Sequence, residues 1–216
     1  ESSKFPKGGL RIVLIGGRKL TGKPSHKSAT GNIILGQNVF DTSKRTAKSV
    51  VRQQEVHGRH VTVVEWHYPV ENTPKLDQIE IKNSVYLCPP GPHVFLLVIP
   101  VYVRLPQIFR ASLEEHLKLL TAMFWKHTIV LFTRGDWLGV KTVEERIASE
   151  GGLEWLVNKC GNRYHVLNNM DRSDEMQVKE FLEKIEEMWA GNEDPQYELD
   201  NATKTEAGKE AVEQRV

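Results

Sequence analysis

Residues 93–99, HVFLLVI, are almost continuously apolar, and they constrain the fold more than any other stretch of the chain. A strand with one wet face alternates apolar and polar residues. A continuous apolar run needs cover on both faces, the condition of a central strand in an α/β sheet. LRIVLI (10–15), closed by Gly16-Gly17, and TIVLF (128–132) have the same character, and HVTVVEW (60–66) is rich in β-branched residues. YHVL (164–167) reads as a further short strand. Between these runs lie helical patterns. Ser28 to Leu35 is expected to be a helix ended by Gly36. Leu113, His116, Leu117, Leu120, Met123 and Phe124 recur at helical spacing, as do Val178, Phe181, Leu182, Ile185, Met188 and Trp189. Strands alternating with helices predict a doubly wound α/β sheet, with ligands at the carboxyl ends of its strands. No internal repeat is present.

Composition narrows the partners. A net charge of +1 over 216 residues gives no global electrostatic case for nucleic acid or an acidic membrane. With 39% hydrophobic and 26% charged residues, the chain suits one soluble domain. Cys88 and Cys160 stand far apart with no Cys/His cluster around them, so they are expected to be buried reduced thiols and not metal ligands. The run VFLLVIPVYV (94–103) is too short for a membrane helix and contains a proline. No signal peptide opens the chain, and cytoplasm is the expected location. Residues 1–9 read as a leader and 10–190 as the domain. Residues 191–216 are polar and read as a tail or a solvated helix over Thr205–Gln214.

The segment LIGGRKLTGKPSHKSATGN, from Leu14, carries the chemistry. Gly17 to Lys23 fits GxxxxGK between a strand and a helix, the context of a phosphate-binding loop. Such a loop surrounds phosphate with backbone N–H groups and a helix N-terminus, and its lysine neutralises charge. The next residue should carry a hydroxyl for magnesium, but it is Pro24, which lacks both hydroxyl and N–H. If Lys27-Ser28 is the final pair instead, His26 takes the place of the second glycine, and a β-carbon points where phosphate approaches the backbone. In that register Thr21 also takes the place of the first glycine, so both registers fail.

SATGNIILG (28–36), PPGPHVFLLVIPV (89–101), TIVLFTRGD (128–136) and CGNRYHVLNN (160–169) resemble, in order, the motifs of the GIMAP family of immunity-associated G domains. The resemblance implies a Ras-like P-loop GTPase fold, α/β, with a mostly parallel central sheet and helices on both faces. It also implies binding of guanine nucleotides with magnesium, and in some members assembly through the G domains. Carried over by position, Gly16 matches the strand-end glycine, and Lys27 and Ser28 match the lysine and serine ahead of ATGN. The Gly22-Lys23 pair then lies in a loop about five residues longer than the motif's.

Other positions depart from the family pattern. In SVT of the first switch the threonine is replaced by Val51, which cannot ligate metal. In DxxG of the second switch Glu65 replaces the aspartate and Tyr68 the glycine; His67 between them is read as a packed switch residue, not a catalytic base. The base-reading motifs are kept: Thr133, Arg134 and Asp136 match the guanine motif, and Asn168-Asn169 the fifth motif. Asp136 can accept from the guanine N1–H and amine, and Arg134 can stack on the base. The same residues can also serve as a helix cap and loop residues.

These departures fall on the phosphates and magnesium, which supply most of a G protein's nucleotide affinity and the means of hydrolysis. The expected function is therefore a pseudo-GTPase with little or no GTP binding or hydrolysis, acting as a scaffold or interaction module in immune signalling. No catalytic residue, metal or cofactor is expected. The vestigial phosphate site is Gly16, Gly22, Lys23, Lys27 and Ser28. One alternative is a GTP-binding switch, with GTP or GDP and Mg2+, built on an atypical loop. A second is an anionic phosphate or lipid-headgroup module using Arg18, Lys19, Lys23 and Lys27, set against a merely solvated basic loop. The resemblance allows a homodimer through the G domain; no nucleic-acid partner and no membrane association are expected.

Overall fold

The computed structural model describes residues 9–17, 26–40, 42, 49–66, 74–117, 123–168 and 174–191. The apolar runs form the sheet: β1 (Leu10–Gly16), β3 (Arg59–Glu65), β4 (Val94–Pro100), β5 (Thr128–Thr133) and β6 (Tyr164–Val166), with β2 (Val50–Val56) at one edge. Strand order is β2-β3-β1-β4-β5-β6, and every pairing is parallel except β2 with β3. Around the sheet lie α1 (Lys27–Leu35), α2 (Pro74–Tyr86), α3 (Gln107–Leu117), α4 (Met123–Lys126), α5 (Val143–Ser149), α6 (Gly151–Lys159) and α7 (Glu175–Ala190).

The period of two sorts the strands onto two layers. Val13, Ile15, Val64, Phe95, Leu97, Val130 and Phe132 face one side, closed by Leu113 of α3, Phe124 of α4 and Leu153 and Leu156 of α6. Ile12, Leu14, Val63, Leu96, Val98, Ile129 and Leu131 face the other, closed by Ile34 and Leu35 of α1 and Phe181, Leu182 and Ile185 of α7. This two-sided cover is what the unbroken apolar runs require.

The structure departs from the sequence expectations in several elements. Helix α1 begins at Lys27, one residue early, and ends as expected at Gly36, whose φ of 69° is left-handed. The expected helix through 113–124 is two elements, α3 and the short α4, with 118–122 outside the described residues. Strand β2 and helices α2, α5 and α6 were not anticipated. Cys88 and Cys160 are buried free thiols, and burial pushes both up to about 12. Among the described residues, no helix is long and apolar enough to cross a membrane. The expected tail after Gly191 and the leader ahead of Gly9 lie outside the described residues.

Candidate functional site

The carboxyl ends of β1, β3, β5 and β6 bring the candidate residues together. At the end of β1, Gly16 pairs with Val98 of β4. His26 then precedes α1 with φ 61° and ψ 35°, a left-handed conformation that costs a residue with a β-carbon roughly 1 kcal/mol. Glycine adopts this conformation freely, so the backbone at position 26 has the geometry of a glycine site that holds a histidine.

Lys27 opens α1 and is buried. Its Nζ donates to the Trp66 carbonyl and sits 5.6 Å from the centre of the Trp66 ring. Burial lowers its pKa from 10.5 to about 8, and Glu65 opposes that shift. Trp66 is fixed in turn by its N–H, which donates to the Leu14 carbonyl at 3.1 Å. Ser28 Oγ donates to Glu65 Oε1, so a hydroxyl and a carboxylate meet between the start of α1 and the end of β3.

The rest of ATGN is committed to packing. Thr30 Oγ1 donates to the His26 carbonyl at 2.8 Å. A β-carbon at Gly31 would lie 2.8 Å from two carbons of the Phe40 ring, so only glycine lets that ring approach. Asn32 Oδ1 accepts from the Val39 and Phe40 N–H groups at 3.0 and 2.7 Å, and its Nδ2 donates to the Phe40 carbonyl at 3.0 Å.

The end of β5 carries the expected base-reading loop. Thr133 is buried, and its hydroxyl has no hydrogen-bond partner among the described residues. Arg134 is left-handed at φ 57° and grips Asp136 with two bonds, Nε to Oδ1 at 3.0 Å and Nη2 to Oδ2 at 2.9 Å. This hydrogen bonding holds the Asp136 carboxyl below its ordinary value. A β-carbon at Gly135 would meet Val166 Cγ1 at 2.8 Å, and the Gly135 N–H donates to the Leu167 carbonyl at 3.3 Å. Asn168 exchanges bonds with the Gln177 side chain, which ties the loop after β6 to α7. Burial, and then the positive charge of Arg134, lower the pKa of His26.

Val51 is a half-buried residue of β2 opposite Val64, and its side chain offers no oxygen. Gly22, Lys23, Tyr68, His67 and Asn169 lie outside the described residues, as do Arg18 and Lys19. Lys27 does not belong to a solvated basic face, because its ammonium is buried against Trp66. Trp66 itself was missed as a site residue. Its signal was its place directly after the acidic end of a strand.

A six-stranded sheet of this order, with a lysine–serine pair at the first helix facing the acidic end of the third strand, is a Ras-like P-loop GTPase fold. The model of the AIG1 family matches residues 10–216, and the chain belongs to that family. It is 33% identical over 189 residues to GTPase IMAP family member 8 of Mus musculus, covering 83% of this chain and 25% of that protein. It is 28% identical over 187 residues to immune-associated nucleotide-binding protein 4 of Arabidopsis thaliana, covering 81% of this chain and 55% of that protein. The chain thus spans about a quarter of the mammalian relative and about half of the plant one. Toc33 from Arabidopsis thaliana, solved in complex with GDP and Mg2+, has the same fold: TM-score 0.67 at 14% identity, over 88% of each chain.

Proposed function

We propose that this domain is a pseudo-GTPase, a G domain used as a cytoplasmic scaffold or interaction module in immune signalling, with little or no binding or hydrolysis of GTP. The observation that carries this reading is the lysine at the head of α1. Its ammonium is buried and donates to the Trp66 carbonyl, behind a histidine in the position whose backbone suits glycine. A phosphate seated there must displace the Trp66 contact and pass the β-carbon of His26. At the other end, both oxygens of Asp136 are held by Arg134, so a guanine base must compete with a two-bond ion pair for the carboxylate.

Among the described residues, His26, Lys27 and Trp66 therefore do not fit a phosphate chain. For magnesium, Ser28 and Glu65 supply two hard oxygens, but Val51 supplies none. Calorimetric titration of the chain with GTP and GDP in the presence of magnesium tests the proposal. Heat too small to fit is expected, and magnesium-dependent affinity in the micromolar range or tighter refutes it.

The Ser28–Glu65 pair favours one second reading, a GTP-binding switch. A hydroxyl beside a carboxylate at the end of β3 is a donor set that divalent cations take. Under this reading Lys27 turns to the phosphates and Asp136 leaves Arg134 for the base. Titration of Lys27→Met and Asp136→Asn separates the readings, because both variants lose affinity only if the wild type has it. For the chloroplast translocon components atToc33 and psToc159, which share this fold, dimerisation is important for GTPase activity. We extend to this chain only a homodimer through the G domain, with sedimentation of the chain with and without GTP as its test.

A further inference from the structure

We infer that the loop after β5 and the segment after β4 form a docking site for an acidic segment of a partner protein bearing one large apolar side chain. Four large apolar side chains are notably exposed among the described residues, and two of them share this loop: Trp137, 62% exposed, and Val140, fully exposed. Both belong to a preorganised turn. The Trp137 N–H donates to the Arg134 carbonyl at 3.0 Å, and the Lys141 N–H donates to the Leu138 carbonyl at 3.0 Å. The Trp137 ring lies against Tyr102, with centroids 5.2 Å apart. Arg146 anchors the opposite wall by donating to the Val101 and Val103 carbonyls, each at 2.9 Å.

Val101, Tyr102, Trp137, Leu138 and Arg146 line a shallow cavity of about 260 Å³, with Arg104 and Lys141 on its rim; Val140 stands outside it. A rigid aromatic pair in a dent is the form of an interface anchor, since tryptophan and tyrosine are enriched among hot spots. The rim selects the occupant. Arg104, Lys141 and Arg146 are all cationic, so the potential favours acidic residues around the apolar anchor. A second copy docking through the same patch about a two-fold axis would set these cations against their own images. Single-stranded nucleic acid could stack on Trp137, but it needs a basic groove that follows its backbone, and the chain's net charge is +1.

Selection of a random short-peptide display pool against the intact chain tests the inference. Enriched peptides should be acidic and carry one aromatic or large aliphatic residue. Synthesised and labelled, they should lose about tenfold or more in affinity on Trp137→Ala. They should lose a similar amount on Arg104→Glu with Lys141→Glu, a change confined to the rim, with the thermal melt of both variants as a folding control. Absence of enrichment, enrichment of neutral or basic sequences, or binding that survives both variants overturns the inference. So does a concentration-dependent dimer in light scattering, or oligothymidylate binding, that Trp137→Ala abolishes. The selection and the binding assays are run without nucleotide, so their outcomes are read separately from GTP titrations.

Discussion

Replacing Lys27 by methionine should stabilise this domain at neutral pH, whereas removing a charged group from a solvated site changes stability little. Burial drops the lysine from 10.5 to about 8, so carrying its proton in the folded state costs about 3 kcal/mol. Methionine has a similar length and no charge to desolvate, but it gives up the bond to the Trp66 carbonyl, worth about 1 kcal/mol. The net expectation is a gain of about 2 kcal/mol at pH 7. The sign with pH follows from the depressed folded value. Between about 8 and 10.5 the unfolded chain holds a proton that the folded chain has released. Wild-type stability therefore rises with pH in that window, by at most about 1.4 kcal/mol per pH unit, and the advantage of Lys27→Met shrinks across it. Urea unfolding of both proteins in steps from pH 7 to pH 10 reads this directly. Parallel pH profiles, or a variant less stable than wild type at pH 7, would refute the assignment of Lys27 as a buried, costly cation.

Asn32→Leu strands the N–H groups of Val39 and Phe40, and a loss of about 3 kcal/mol is expected in urea denaturation. Burial lowers His165 to about 4 and His93 to about 3, so the unfolded chain takes up protons first on acidification. Stability should fall below about pH 6.5, by roughly 2 kcal/mol per histidine at pH 5, and thermal melts of His165→Phe should show about half that fall. Arg134→Ala removes the partner that holds the Asp136 carboxyl low. An NMR pH titration should then find that carboxyl shifted back toward its ordinary range, and an unmoved titration would show that the ion pair does not persist in solution.

What the sequence made legible was decided by burial. Strands β1, β4 and β5 are covered on both faces, so their apolar runs have no reading but buried strand. Strand β2, Val50–Val56, escaped because it is an antiparallel edge whose centre, Arg52 to Glu55, is polar and largely exposed. Helix α5 is short, with Ile147 its one fully buried side chain, and so shows no stripe; only the capping pair Thr142 and Glu145 marks it. Over 113–124 the spacing of apolar residues was real, since Leu113 and Phe124 both reach the core. They do so from two elements, because spacing alone cannot report a break between helices. At the site, the helix that Lys27 and Ser28 open was legible from ATGN, which lies in its first turns. The role of Trp66 was not, because it depends on a carbonyl presented across the sheet from β3 to α1.

Several of the residues that reveal the family in the sequence are committed to packing. Thr30, Gly31 and Asn32 are buried and bind the start of α1, the Phe40 ring and the loop at 37–40. Gly135 is required by Val166 and Leu167, whatever happens at Asp136. Such residues answer to the stability of the fold, and losing any of them costs stability whether or not nucleotide is bound. The departures carried over from the family resemblance fall elsewhere, at exposed His26, at Val51 packed against the core edge, and at buried Glu65 beside Ser28. A G domain under no demand to hold phosphate would diverge in this pattern, keeping the packing motifs and varying these positions. The position that separates this history from that of a working switch is Lys27. Buried and paired with the Trp66 carbonyl, it costs stability in the absence of phosphate, so its persistence has to be set against its burial. If Lys27→Met stabilises the chain and leaves GTP titrations flat, the lysine is a relic. If the same change removes measurable binding, the stability lost to its buried charge is the cost of a functioning site.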